Sequence, residues 1–119
     1  MRNFKELKIW QLGMDIAVEC YKLCADFPQS EKYGLTSQMT RAAVSIPSNI
    51  AEGCSRSSQK EYLRFIDISL GSCYELETQA MLAKSLGFGN PGLLDQVVVH
   101  LESIQKMLFS FRARLNSSQ

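Results

Sequence analysis

Apolar residues recur at steps of three and four along four segments of the chain, a spacing that predicts amphipathic helices. The first segment carries one apolar series made of Leu7, Trp10, Met14, Ala17, Tyr21 and Cys24. A second series widens the predicted buried face with Ile9, Leu12, Ile16, Cys20 and Leu23. The segment ends at Phe27-Pro28, because a residue before proline avoids the α region. No stretch alternates between apolar and polar residues for long, so the pattern predicts no β-sheet.

The second segment has an apolar series with a proline inside it. The series consists of Leu35, Met39, Ala42, Ala43, Ile46 and Ile50. Thr36 is the predicted N-cap, and Gly53 marks the predicted end of this helix. Pro47 lacks a backbone donor, so we predict that the second helix is kinked at this residue.

Start and stop signals bound the third and fourth helices. Ser58, with Glu61 three residues later, matches a capping box at the start of the third helix, and Gly87 ends it. Asn90 followed by Pro91 predicts the N-cap and first residue of the fourth helix. The fourth helix carries a heptad series made of Leu94, Val97, Leu101, Ile104, Leu108, Phe111 and Leu115.

Length and composition agree with a single folded unit. The chain has 119 residues, of which 45% are hydrophobic and 21% charged, as is usual for globular proteins. Because short connections favour antiparallel neighbours, we predict an all-α fold: an antiparallel up-down four-helix bundle forming one domain over residues 1–119.

The cysteines and the chain start indicate the compartment. Residues 1–8 contain no apolar core of a secretory signal, and no apolar run is long enough to cross a membrane. The four cysteines all fall in helical segments, and they are Cys20, Cys24, Cys54 and Cys73. We predict reduced, mostly buried thiols and a cytoplasmic location.

Polar residues recur at helical spacing on the second and third helices. This set, the polar seam, consists of Gln38, Arg41, Ser45, Asn49, Glu52, Arg64, Ser72, Glu75 and Gln79. Folding the third helix back on the second about Ser58 places Arg41 level with Glu75, and Glu52 level with Arg64. Such pairs form either an exposed face that contributes little stability or a partly buried network, within the bundle or across a subunit boundary. We favour the second interpretation, in which removing Arg41 costs about 3–5 kcal/mol.

Catalytic and metal-binding patterns are missing. Glu52 and Glu75 are each predicted beside an arginine that keeps the carboxylate ionised, which argues against a general acid. The single histidine, His100, has Val97 rather than glutamate three residues before it, so a helical di-iron pattern is absent. We therefore expect no enzymatic activity, no cofactor and no metal.

The overall charge gives no direct indication of nucleic-acid binding. With 13 Lys and Arg against 12 Asp and Glu, the net charge is +1, so such binding would depend on local patches. The candidate nucleic-acid contacts are Arg56, Lys60, Arg64, Lys106, Arg112 and Arg114. The alternative is that the cations of the fourth helix complement its carbonyl end and that Arg64 pairs with Glu52.

A resemblance to a known family covers nearly the whole chain. It rests on the run Ser45-Ile46-Pro47-Ser48-Asn49-Ile50-Ala51-Glu52-Gly53, followed by Arg56, Ser58, Glu61, Phe65, Gly71-Ser72 and Glu75-Leu76-Glu77-Thr78-Gln79. Further matches are Phe4, Leu7, Trp10-Gln11, Phe27-Pro28, Glu31 and Tyr33-Gly34-Leu35. In these residues the chain resembles the four-helix bundle proteins encoded in intervening sequences of bacterial 23S ribosomal RNA genes. One departure is Ser69, where the family more often carries alanine.

The resemblance implies a cytosolic bundle, often assembled as a ring of five, with no established enzymatic activity. The accessory variability proteins of diversity-generating retroelements are similar in fold, and they form pentameric barrels that bind nucleic acid and a reverse transcriptase. From this likeness we expect a homo-oligomer, a pentamer, that binds RNA or a nucleic-acid-associated protein. The alternative is a structural or protein-interaction subunit without nucleic-acid binding, which broad apolar surfaces on the first and fourth helices would serve.

Overall fold

The four periodic segments fold as four long helices in the computed structural model, which describes residues 2–117. The helices are α1 (Lys8–Cys24), α2 (Leu35–Cys54), α3 (Gln59–Leu86) and α4 (Pro91–Ser117). Two short 3-10 turns, Phe4–Glu6 and Gln29–Glu31, precede α1 and α2. No strand occurs between residues 2 and 117, and the predicted all-α four-helix fold is confirmed.

The ends of α3 and the start of α4 follow the predicted local signals. Ser58 Oγ accepts a hydrogen bond from the Glu61 backbone N–H at 3.1 Å, which caps α3. At the other end of α3, Gly87 adopts a positive φ of 74°, a conformation that glycine reaches without steric cost. Asn90 Oδ1 accepts from the Leu93 N–H at 3.0 Å, and Pro91 is the first residue of α4.

The start of α2 differs from the prediction. Thr36 is already helical, and the helix begins one residue earlier, at Leu35. The Leu35 N–H donates to Glu31 Oε1 at 2.9 Å, so a carboxylate from the preceding 3-10 turn accepts the hydrogen bond of the first backbone N–H of the helix. The predicted Thr36 N-cap is therefore wrong, because Thr36 is already the second residue of the helix and the N-cap position falls at Gly34.

Contacts between helices show that neighbours run in opposite directions. Gln105 Nε2 donates to Glu77 Oε1 at 2.6 Å, whereas Arg112, further along α4, donates to Asp67 Oδ1, earlier in α3, at 2.6 Å. Arg2 Nη1 donates to the Arg56 carbonyl at 2.8 Å, which ties the chain start to the α2–α3 turn. The start of α1, the α2–α3 turn and the end of α4 consequently share one end of the bundle.

A single core runs through the bundle, which measures 46 × 23 × 20 Å. Its fully buried large side chains include Ile16, Leu23, Met39, Ile46, Ile50, Ile66, Leu76, Leu101, Ile104 and Leu108. In α4 the heptad positions from Leu94 to Leu108 are buried, and Phe111 and Leu115 pack partly against the core. Burying such side chains contributes roughly 1.5–3 kcal/mol each.

The second of the two apolar series on α1 is buried in this core more fully than the first. Ile16, Cys20 and Leu23, from the second series, are fully buried. In the first series Met14 and Tyr21 remain 41% and 56% exposed. The two series lie side by side on the helix, and within the first series only Cys24 is buried, while Leu7, Trp10 and Ala17 pack partly against the core.

The register between α2 and α3 agrees with folding about Ser58. Ser69 Oγ donates to the Ile46 carbonyl at 2.9 Å, and Ser45 Oγ and Ser72 Oγ share a hydrogen bond of 2.8 Å. Both pairs are nearly equidistant from Ser58 along the chain. α2 continues through Pro47, and the kink at this proline stays a prediction.

The polar seam divides into an inner and an outer part. Ser45, Asn49, Ser72 and Gln79 are buried or half-buried between the helices, and Asn49 Nδ2 donates to Ser45 Oγ at 2.8 Å. The outer part is exposed and consists of Gln38, Arg41, Glu52, Arg64 and Glu75. Hydroxyl and amide groups, not charges, therefore form the polar part of the contact between α2 and α3.

Neither predicted ion pair forms within the described part of the chain. Arg41 and Glu75 make no ion pair among residues 2–117, and Glu52 Oε1 instead lies 3.3 Å from Nη2 of Arg56, which is just beyond the end of α2. Arg41 precedes Ser45 by four residues and is turned about 40° further round the helix, away from α3. Two residues at the same height on α2 and α3 therefore do not necessarily form an ion pair, because their side chains can both point towards solvent.

We expect that Arg41→Ala and Glu75→Ala each change the free energy of unfolding by less than about 0.5 kcal/mol, because both side chains are exposed and unpaired within residues 2–117. Urea denaturation followed by circular dichroism measures this. A loss of about 3 kcal/mol for either variant would show that the charge is buried in the assembled protein instead.

Two helical glycines offer a matched test of helix packing. A Cβ added at Gly53 would lie 3.0 Å from Phe65 Cβ and 3.0 Å from Tyr62 Cδ1. At Gly71, on the outer surface of α3, a Cβ would meet no atom within 4 Å. We expect Gly53→Ala to lower the free energy of unfolding by about 1–3 kcal/mol through overpacking, although alanine favours helix. Gly71→Ala should raise it by about 0.5–1 kcal/mol, and equal effects in urea melts would contradict the close approach of α2 and α3.

Candidate nucleic-acid interface

The chain connectivity collects most cations in one half of the bundle. We call this the basic half; it comprises residues 2–13, 46–70 and 105–117. It contains nine of the 13 Lys and Arg residues but only four of the 12 acidic residues. The other half, the acidic half, has four cations and eight acids. The net charge of +1 is therefore the sum of a net charge of about +5 in the basic half and −4 in the acidic half, which lie at opposite ends of the long axis.

All six predicted nucleic-acid contacts lie in the basic half, and two of them are already paired. Arg112 Nε lies 2.6 Å from Asp67 Oδ1. Arg56 Nη2 lies 3.3 Å from Glu52 Oε1, and its guanidinium carbon is 4.6 Å from the centre of the Phe65 ring. These two arginines are partly committed to holding helices together.

The other four predicted contacts are exposed and make no ion pair within residues 2–117. Lys60 and Arg64 lie one turn apart near the start of α3. Lys106 and Arg114 lie two turns apart on the last part of α4. The predicted Glu52–Arg64 pair is replaced by Glu52–Arg56, which leaves the Arg64 guanidinium available to solvent and ligands.

Arg2 is a basic residue of this half whose role the sequence pattern does not show. Besides the Arg56 carbonyl, its Nη1 reaches the Cys54 carbonyl at 3.5 Å, and its guanidinium carbon lies 4.3 Å from the Tyr62 ring centre. It thus complements carbonyls at the C-terminal end of α2. A cavity of about 800 Å³ opens beside it, between Phe4 and Arg56. Only the tertiary fold brings residue 2 to this turn.

The cysteines do not form a reactive site. All four are free and buried. Burial raises the pKa of Cys73 to about 12, so its thiol stays protonated at neutral pH. A hydrogen bond with Cys24, together with burial, raises the pKa of Cys20, and the same bond lowers that of Cys24. These thiols are packing groups in the core.

Other titratable groups make structural contacts. Cys54 Sγ lies 3.3 Å from Tyr62 Oη. Burial, and to a smaller extent this hydrogen bond, raises the pKa of Tyr62, so the hydroxyl remains neutral. In the acidic half, His100 Nδ1 lies 2.9 Å from Glu19 Oε1 and links α4 to α1. Across residues 2–117, no three His, Cys, Asp or Glu side chains are placed to hold a metal ion. No described helix is long and apolar enough to span a bilayer.

The first, less buried apolar series of α1 borders a groove on the side of the bundle. The groove has a volume of about 340 Å³ and runs between α1 and α2. It is lined by Trp10, Met14, Ala17, Val44, Pro47, Ser48 and Ala51. Met14 and Val44 are 41% and 43% exposed, so a lateral apolar surface accompanies the basic half.

Comparison with known proteins locates this bundle among relatives. The model of the 23S rRNA-intervening sequence protein family matches residues 5–110. A similar solved structure is the 1.70 Å crystal structure of a protein with unknown function from the S23 ribosomal protein family of Bacteroides thetaiotaomicron VPI-5482. The two chains share 20% sequence identity with a TM-score of 0.78, over 87% of this chain and 97% of that one, which establishes a shared fold.

No curated protein matches the chain significantly in sequence. Neither the family description nor that of the solved structure names an enzymatic activity. The family match extends from the first 3-10 turn to the last part of α4, and so includes the polar seam and the part of the basic half that lies between residues 5 and 110. The chain therefore belongs to the 23S rRNA-intervening sequence protein family.

Proposed function

We propose that this protein is a non-enzymatic RNA-binding module that contacts RNA through its basic half. The observation that carries the proposal is the separation of charge, with nine cations and four acids in one half of the bundle. Clustered Lys and Arg side chains supply the sequence-independent part of nucleic-acid binding by neutralising phosphates. The family name refers to 23S rRNA, which makes RNA the polyanion to test first.

The free cations are placed to contact phosphates from several sides. Lys60 and Arg64 project from α3, while Lys106 and Arg114 belong to α4, and none is paired with an acid within residues 2–117. Since such cations need not give up a carboxylate partner to bind a phosphate, the energy of the phosphate contact contributes directly to RNA affinity. The four thiols are buried in the core, which supports a binding role rather than a catalytic one.

We further propose that the protein acts as a homo-oligomer, a ring of five as the family resemblance implies. The apolar groove between α1 and α2 supports this, because Met14, Tyr21 and Val44 would be shielded from water in an interface. Assembly would repeat the basic half around a ring and multiply weak phosphate contacts. Free thiols throughout also support a reducing, cytoplasmic location.

The groove also supports a second candidate function, a scaffold subunit that docks other proteins without binding nucleic acid. In that case the apolar surface of α1 and α2 is the functional site, and the cations of the basic half serve solubility and helix ends. The two functions differ in one measurable property, the dependence of RNA affinity on these cations and on salt.

Fluorescence anisotropy with a structured RNA tests the proposed function. We expect affinity to fall by about tenfold or more between about 50 and about 200 mM salt, because phosphate contacts release counterions. The double variant Lys60→Gln, Arg64→Gln should bind about tenfold more weakly and with a shallower salt dependence.

The matched control removes two cations from the acidic half. Lys22→Gln with Lys32→Gln changes the net charge equally, and its RNA affinity should stay within about twofold of the parent. Binding that is absent, insensitive to salt, or weakened equally by both double variants would contradict RNA recognition by the basic half and favour the scaffold.

Size-exclusion chromatography with light scattering tests self-association. We expect the protein to elute at a multiple of its protomer mass, and Met14→Glu to shift it to the monomer, because a charge would be buried in the α1–α2 interface. Met14 is 41% exposed in the protomer, so circular dichroism should show unchanged helicity.

Lys32→Glu, in the exposed connection before α2, is the control and should keep the parent mass. A parent protein that is monomeric at micromolar concentration, or a Met14→Glu variant that assembles normally, would remove the groove from the interface.

A further inference from the structure

A groove in the basic half combines an apolar floor with a cationic rim. It lies where the start of α1 meets the last part of α4 and has a volume of about 410 Å³. Leu7, Met107 and Phe111 provide half-buried apolar surface within it. Its exposed charged residues are the three cations Lys8, Lys106 and Arg114 and one acid, Glu6, so the rim carries a net positive charge. This groove is separate from the Lys60–Arg64 surface on α3, although both belong to the basic half.

The aromatic group of the groove is held in place from two sides. The Phe111 ring packs edge-on against the Tyr62 ring, with centres 5.6 Å apart. On another side, the Arg114 guanidinium carbon lies 5.6 Å from the centre of the Phe111 ring. A ring fixed in this way loses little conformational freedom when a flat ligand contacts it.

We propose that this groove receives an unpaired base of single-stranded RNA, with the flanking phosphates on Lys8, Lys106 and Arg114. The inference rests on the proposed RNA binding and specifies the form of RNA that is recognised. Proteins that hold single strands combine a positive groove that follows the backbone with apolar and aromatic surface that contacts the bases. Both requirements are met here by residues from two helix ends.

A double-stranded RNA can contact the cations of this groove but not its apolar floor. Phosphates of double-stranded RNA can reach the three cations, but its bases are stacked and paired, and the A-form major groove is too deep and narrow for side chains to enter. The apolar surface of Leu7, Met107 and Phe111 would then stay in contact with water. An unpaired base can leave the strand and cover this surface, so the groove discriminates in favour of single strands.

The test compares a labelled, non-self-complementary RNA strand with the blunt duplex of the same sequence, using fluorescence anisotropy with the intact protein. We expect the single strand to bind about tenfold more tightly, the gain from placing one base on an apolar and aromatic surface. Phe111→Leu should remove most of this preference while leaving the slope of log affinity against log salt unchanged, because no phosphate contact is lost.

Lys106→Gln should act in the opposite manner, lowering the salt slope for the single strand by about 0.7 while keeping the preference over duplex. Met107→Gln removes apolar floor without disturbing the contact between Phe111 and Tyr62, so it replaces Phe111→Leu if that variant melts at a lower temperature. Lys22→Gln, in the acidic half, should change neither quantity.

Equal affinity for strand and duplex, with Phe111→Leu and Met107→Gln both binding like the parent, would overturn the base-binding groove and leave RNA binding by the basic half intact. If the parent protein shows no salt-dependent RNA binding at all, both the base-binding groove and the proposed RNA binding are overturned. A preference for the single strand that disappears in the two floor variants establishes the groove.

Discussion

The close antiparallel contact of α2 and α3 is the constraint from which the rest of the bundle follows. Small and polar side chains occupy this contact, so the two helices approach until Gly53 has no space for a Cβ beside Phe65 and Tyr62. Serine hydroxyls then fix the register, with Ser69 bonded to the Ile46 carbonyl and Ser45 bonded to Ser72. Buried hydroxyls that find partners stabilise a defined register, whereas apolar side chains alone would tolerate sliding.

This register determines which residues meet at the end of the bundle. The turn between α2 and α3 is bonded to Arg2 from the chain start, and Tyr62 just beyond it packs against Phe111 from α4. Three segments that are far apart in sequence thus contribute their cations to one half. Charge that is nearly balanced over the whole chain becomes segregated because the up-and-down path sends the acidic stretches the other way.

The helices and their ends could be predicted because their signals are local. Ser58, Gly87 and Asn90 act within a few residues of themselves, and the α4 heptad is long enough to identify its buried face. The register between α2 and α3 was also predictable, because the short turn between them leaves two antiparallel helices little freedom to slide along each other. The ion pairs expected from that level do not form within residues 2–117, because a rotation of about 40° separates Arg41 from the face that Ser45 presents.

Features that depend on three or more segments could not be derived from the pattern. Two apolar series on α1 compete for the core, and only the contacts with α2 and α4 decide that Met14 stays outside. Similarly, the six candidate cations were visible in the sequence, but their association with Arg2 and Lys8, and with the apolar surface around Phe111, requires the fold. Helix caps and the register of two adjacent helices depend on residues close in the sequence, whereas a groove depends on how several helices pack together.

The segregation of charge has a kinetic consequence for a bundle 46 Å long. Opposite charges at the two ends give the molecule a permanent electric moment along its axis, and the field of a polyanion exerts a torque on it before any contact is made. If its partner is RNA, as we propose, the protein would approach with the basic half first, and fewer collisions would be unproductive. The orienting field acts over the screening distance of the surrounding ions, about 8 Å at physiological salt, so the alignment happens in the last steps of the encounter.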